Sequence, residues 1–274
     1  MLLLSGRVPA AGLHFQEDYK RVRPRRSRAG INTFRGEDMS IKGLIDDLVS
    51  ANHILYKEGV VDGFGHVSVR DERNPERFLL ARGIAPATVR AKDVMEFGMD
   101  GEPLNPRGKK PYLERYIHSE IYRVRPDVVA IVHSHSPALI PFGITATSLK
   151  PVFHMSGFLG SATPNFEIRE AGGPATDMLI RDRKLGAALA RTLGGAPFAL
   201  MRGHGAIAVG GALKQVVYRA IYAEMNARLQ AEAMRLGTVN YLNEQEAVNA
   251  SRTNDGVIDR PWELWKQSVK RSKR

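Results

Sequence analysis

From residue 40 onward the apolar positions fall into regular patterns. Ile41, Leu44, Ile45, Leu48, Val49 and Leu55 recur at three- and four-residue spacings, which predicts an amphipathic helix through about Tyr56, with Gly59 as its stop. His66-Val67-Ser68-Val69-Arg70 alternates like a strand, and Phe78-Leu79-Leu80-Ala81 predicts a second one beyond a charged turn at residues 71–76. Glu114 to Arg123 predicts a helix with Pro126 past its end. Val128-Val129-Ala130-Ile131-Val132 is β-branched and apolar throughout, the signature of a strand buried on both faces. Phe198-Ala199-Leu200-Met201 and Ala206-Ile207-Ala208-Val209 predict two more strands around Gly203-His204-Gly205, and residues 212–236 one long helix ending at Gly237. Several strand pairs are joined too briefly for helical crossovers. The expected fold is therefore α/β, with a mixed, mostly antiparallel sheet covered by helices on both faces.

Composition narrows the function. Of 274 residues none is cysteine, which excludes a disulfide scaffold, a thiolate metal site and a cysteine nucleophile. No apolar run approaches the roughly 20 residues that span a bilayer. The net charge of +11 is uneven: residues 1–38 carry +4 and residues 260–274 carry +5, so the body is nearly neutral. A polyanion-binding domain places its cations on the folded part, so no specific nucleic-acid or membrane partner is expected. Residues 1–38 read as a basic, flexible extension, 39–240 as the main domain, and 241–274 as a C-terminal extension with a basic tail. Trp262 and Trp265 predict a terminal helix docked on the body or on a neighbouring subunit; an aromatic lid over a neighbour's site is the alternative. Met1-Leu2-Leu3-Leu4 is too short for a secretory core, so the cytoplasm is the expected compartment.

The histidines carry the candidate chemistry. His133 and His135 close the apolar run as His-x-His, and positions i and i+2 of a strand face one side. Two imidazoles so placed can grip one metal ion; the bland alternative is a surface pair. His204 lies between two glycines that let the backbone approach closely, or merely turn. Together the three make an open, catalytic type of site. Glu114 and His118 share a helix face at i and i+4. Glu114 reads as a ligand or proton carrier, against an ordinary ion pair with Arg115 or Lys110. His118 reads as a second proton carrier, against a satisfied core histidine.

These residues also carry a resemblance. The order Gly65-His66-Val67-Ser68, Glu114 before His118, residues 121–128 leading into His133-Ser134-His135, then Gly203-His204-Gly205, resembles the class II aldolase/adducin family over about residues 40–240. The resemblance implies a three-layer α/β/α domain, usually a homotetramer with sites between subunits. It implies a divalent metal, zinc or manganese, on His133, His135 and His204, with Glu114 as the acidic residue. Sugar-phosphate aldolases of the family carry a small hydroxyl pair before the glutamate, where this chain has Tyr112-Leu113. Arg82-Gly83 replaces a Thr-Gly or Ser-Gly, and His66 replaces an asparagine. These departures, with residues 107–115 and 151–160, resemble the branch that decarboxylates hydroxy-pyridine or hydroxy-phthalate dicarboxylates. The expected substrate is then an aromatic carboxylate. Arg82 and His66 would hold its second carboxylate, Tyr112 and Phe158 would pack its ring, and Gly83, Ser68 and His154 would complete the pocket. The alternatives are an aldolase or epimerase on a non-phosphorylated substrate, a non-catalytic adducin-like domain, and a nucleic-acid binder using the basic tails.

Overall fold

The elements over residues 41–81 and 198–236 follow the apolar pattern closely. The computed structural model describes residues 41–271; the expectations for residues 1–38 lie outside them. In chain order the elements are α1 (Ile41–Lys57), β1 (His66–Arg70), β2 (Arg77–Ala81), β3 (Val94–Gly98), α2 (Arg115–Val124), β4 (Ala130–Ser134), α3 (Ile140–Ile144), β5 (Asn165–Phe166), α4 (Ile168–Gly172), α5 (Arg183–Leu193), β6 (Phe198–Met201), β7 (Gly205–Gly210), α6 (Leu213–Leu236), α7 (Glu244–Asp255) and α8 (Asp259–Arg271). Short 3₁₀ turns lie between β2 and β3, and one spans residues 154–159.

The seven strands form one sheet in the order β3-β2-β1-β4-β7-β6-β5. All neighbours are antiparallel except β5 and β6. The mixed, mostly antiparallel sheet is thus as the brief connections require, and its central strand β4 is buried at every position. Alternate strand residues face two cores. Val67, Val69, Ala130, Val132, Leu200 and Ala208 meet α1, α6 and α8 on one face. Phe78, Leu80, Ile131, Met201 and Ile207 meet Ile117, Ile121, Leu185 and Leu189 of α2 and α5 on the other. Helices on both faces make three layers, and burial of these aliphatic and aromatic side chains is the main stabilising term.

Three differences from the apolar pattern are informative. β3 and α5 have no counterpart in it. β3 is an edge strand with only Met95 and Phe97 buried, too short a period to stand out. α5 carries Gly186 in its interior, which lowers intrinsic helicity, yet a Cβ there would sit 2.5 Å from the Tyr116 carbonyl of α2, so glycine is what lets α5 pack so close. β4 also begins two residues later than the apolar run suggests, so His133 is inside the strand and His135 is just past it. At the C-terminal end Trp262 and Trp265 are buried, and Trp265 packs 6.4 Å from Tyr222, docking α8 against α1 and α6.

Candidate metal centre and cavity

Sheet register places the first histidines. His66 of β1 pairs with His133 of β4, so both rings project to the α2 side. Ser134 of β4 pairs with Ala206 of β7, which carries the β6–β7 turn, and His204 with it, alongside. The approach is tight: a Cβ on Gly205 would lie 2.0 Å from the Ser134 carbonyl oxygen. Gly203 turns the chain with φ +62°, a conformation that side chains with a Cβ rarely adopt.

The Nε2 atoms of His133 and His135 are 3.1 Å apart, as are those of His135 and His204. Oε2 of Glu114 lies 3.6 Å from Nε2 of both His133 and His204. All four donor atoms fall within 4.8 Å of one another. Glu114 stands at the N-terminal boundary of α2, and the Ile180 N–H donates to its Oε1 at 2.9 Å, which turns Oε2 toward the imidazoles. Its neighbour Arg115 pairs instead with Glu102.

Proton accounting tests whether a cation fits. His133 Nδ1 faces the Ala206 carbonyl at 3.2 Å, and a carbonyl only accepts, so Nδ1 carries the hydrogen and Nε2 a lone pair. The lone pair of His133 Nε2, the Nε2 atoms of His135 and His204 and a Glu114 carboxylate oxygen then converge on one point, while the buried Nδ1 of His204 has no hydrogen-bond partner among the described residues. Nitrogen ligands at roughly 2.0–2.1 Å from a common ion are themselves about 3 Å apart, so the spacing suits one divalent cation. Burial and the neighbouring imidazoles push the His135 pKa down to about 4, which keeps that ring in the neutral form that ligates.

A second histidine group lies beside the first. His66 Nδ1 and His118 Nε2 are 2.7 Å apart, His118 Nδ1 and Ser68 Oγ 2.6 Å, and Ser68 Oγ and the Tyr122 hydroxyl 2.8 Å. His118 is fully buried, and burial first, then His133, lowers its pKa to about 3. Both its nitrogens are occupied, so it reaches solvent only through His66.

A cavity of about 410 Å³ opens beside the centre. His66, Glu114 and His135 supply its polar wall; Phe64, Ile84, Ala85, Tyr112, Leu113 and Leu179 supply most of the rest, with Gly83 among them. Tyr112 packs on His66 with ring centroids 4.7 Å apart. Its hydroxyl donates to the Ile84 carbonyl. Burial pushes its pKa up to about 12, so it offers the cavity a ring rather than an acid.

Four expected pocket residues are placed elsewhere. Arg82 donates from Nε to Asp93 at 2.7 Å, and does not border the cavity. His154 is exposed on the turn that packs against α7, and Asn254 donates to its carbonyl. Phe158 is buried in the α1/α6 core against Phe198 and Tyr218. Ser68 is buried behind His66 rather than at the cavity surface. Leu113, singled out with Tyr112 in the sequence, borders the cavity, whereas Phe64, which stacks 6.1 Å from His135, Ile84 and Leu179 were not anticipated. Phe64, isolated between Gly63 and Gly65 next to the first strand, offered a signal in the sequence; Ile84 and Leu179 offered none.

The model of the Class II Aldolase and Adducin N-terminal domain matches residues 46–231. The chain is 37% identical over 245 residues to "Decarboxylase tropJ" of Talaromyces stipitatus, covering 81% of this chain and 92% of that one. It is 28% identical over 207 residues to a 3,4-dihydroxyphthalate decarboxylase of Arthrobacter keyseri, covering 71% and 80%. Among solved structures, an aldolase II superfamily protein from Pseudomonas syringae superposes with a TM-score of 0.71 at 18% identity, over 87% of this chain and 96% of that one.

Proposed function

This chain belongs to the class II aldolase and adducin family, and from that premise we propose that it is a metal-dependent carboxy-lyase acting on a hydroxylated aromatic carboxylate of the pyridine or phthalate type. The carrying observation is the convergence of His133, His135, His204 and Glu114 at the edge of a largely apolar cavity. Decarboxylases among the relatives support the reaction type. The cavity walls support the substrate: Phe64, Tyr112, Leu113 and Leu179 suit a planar ring. Tyr112-Leu113 cannot cradle a phosphate as a hydroxyl pair would, which disfavours sugar-phosphate cleavage.

His133, His135 and His204 would hold the ion, with zinc or manganese both compatible with imidazole and carboxylate donors. A divalent cation there supplies Lewis acidity toward an adjacent hydroxyl and carboxylate, worth several kcal/mol of charge stabilisation. In the reaction the ring-carbon to carboxylate bond breaks, carbon dioxide leaves, and the ring carbon takes up one proton. Glu114, with Oε1 pinned by Ile180 and Oε2 directed at the imidazoles, would carry that proton on Oε2. The apolar wall keeps water from the developing charge. Phe64 and Leu113, 68% and 61% exposed, are large apolar groups that a neighbouring copy would cover, in line with a homotetramer with sites between subunits.

Carbon dioxide release from hydroxylated aromatic acids, measured on metal-loaded and chelator-treated protein, tests this reading. Release that depends on metal is expected. An aldehyde product without carbon dioxide would replace it with a retro-aldol activity.

A further inference from the structure

The His66-His118-Ser68-Tyr122 row has two ways to arrange its hydrogens, and they are not equivalent. In one, Tyr122 donates to the Val129 carbonyl at 3.3 Å, Ser68 donates to Tyr122, His118 donates from Nδ1 to Ser68, and His66 donates from Nδ1 to His118 Nε2. Every donor is used and four bonds form. In the reverse arrangement Tyr122 donates to Ser68, Ser68 to His118 Nδ1, and His118 to His66 Nδ1. Only three bonds form, because a carbonyl cannot donate. Ser68, His118 and Tyr122 are enclosed, so water does not replace the bond that the reverse arrangement loses at the Val129 carbonyl, which then keeps its Arg70 N–H alone among the described residues.

We propose that this row locks His66 in its Nδ1–H form, so that Nε2 faces the cavity as a hydrogen-bond acceptor and selects substrates whose ring presents a hydroxyl there. His66 lines the cavity and its Nδ1 is occupied, which leaves Nε2 toward the ligand space. An acceptor rewards a hydroxyl and is repelled by a carboxylate, so His66 reads the ring hydroxyl rather than a second carboxyl group. The ring stays neutral throughout; only the position of its one hydrogen matters. Ser68, His118 and Tyr122 are positioning residues that act through His66. The substrate part of this inference rests on the carboxy-lyase reading; the hydrogen position does not.

Tyr122→Phe provides the sharpest test. Without the phenol oxygen, Ser68 has no acceptor except His118 Nδ1, and the row must reverse, putting the hydrogen of His66 on Nε2. Neutron diffraction from deuterium-exchanged crystals of the full chain should show deuterium on Nδ1 of His66 in the wild type and on Nε2 in Tyr122→Phe. Deuterium on Nε2 in the wild type overturns the proposal. In parallel, kcat/KM for a hydroxylated aromatic acid and for its methyl ether should differ roughly tenfold or more in the wild type, and the ratio should collapse in Tyr122→Phe, because an ether oxygen only accepts. A purely structural role for Tyr122 would lower both values equally and leave the ratio intact, which also overturns the proposal. Absence of carbon dioxide release from every acid would remove the carboxy-lyase reading alone, since the diffraction result is read without turnover.

Discussion

Two histidine groups lie beside one another and differ in how their ring nitrogens are partnered. Around His133, His135 and His204 the Nε2 atoms approach at 3.1 Å with a Glu114 carboxylate oxygen 3.6 Å away. In His66 and His118, 2.7 Å apart, each nitrogen turned inward has a matched donor or acceptor. His66, His118 and His133 are buried, while His135 and His204 are only partly covered. The difference lies in the partners: four donor atoms converging on one point suit a cation, whereas the second group completes itself in a row of hydrogen bonds. Histidine as such is therefore a weak indicator of ligation; unmatched lone pairs converging with a carboxylate are a strong one.

This contrast is sharpened by substitutions that act on one group and spare the other. Glu114→Gln should have the largest effect on turnover. Its amide oxygen can still accept from Ile180, so the fold survives, while kcat should fall by about 10² to 10⁴. Steady-state kinetics beside circular dichroism checks it, and wild-type turnover would remove Glu114 as proton carrier. Gly205→Ala forces a Cβ against the Ser134 carbonyl and should separate β7 from β4 beneath the metal group. A loss of about 1–3 kcal/mol in urea unfolding, with weaker metal retention, is expected. Ser68→Ala instead breaks the self-paired group and leaves His118 Nδ1 without a partner. It should cost about 1–3 kcal/mol of stability with metal content unchanged; loss of metal would mean the two groups are not separable. Arg82→Ala should do least. Its guanidinium is tied to Asp93 and stands outside the cavity, so KM for a dicarboxylate should not move. A selective rise in that KM would restore Arg82 to substrate recognition.

Much of this was legible before any coordinates. The His-x-His at the end of an apolar run and the glycine-flanked His204 named candidate donors that the structure brings together, because strand periodicity and tight turns are local properties. The mixed sheet followed from short connections. What the sequence hid was set by distant partners. Arg82 resembled a free cation, yet Asp93, eleven residues on, engages it. His154 and Phe158 sit in a segment without a period, and only the tertiary fold assigns that segment to α7 and the α1/α6 core. His118 had the right helix face beside Glu114, but its two nitrogens are spent on His66 and Ser68. The cavity wall was the least legible part. Phe64, Ile84, Leu113 and Leu179 lie on irregular segments, where side-chain direction follows the path of the backbone rather than a repeat.

The metal content of the purified full chain, measured by mass spectrometry for the wild type and for His133→Ala, His135→Ala and His204→Ala, tests the central claim most directly. One divalent ion per wild-type chain, lost from each folded variant together with carbon dioxide release, is the predicted result. Full occupancy in any of the three variants, or a metal-free wild type that still turns over substrate, would contradict it.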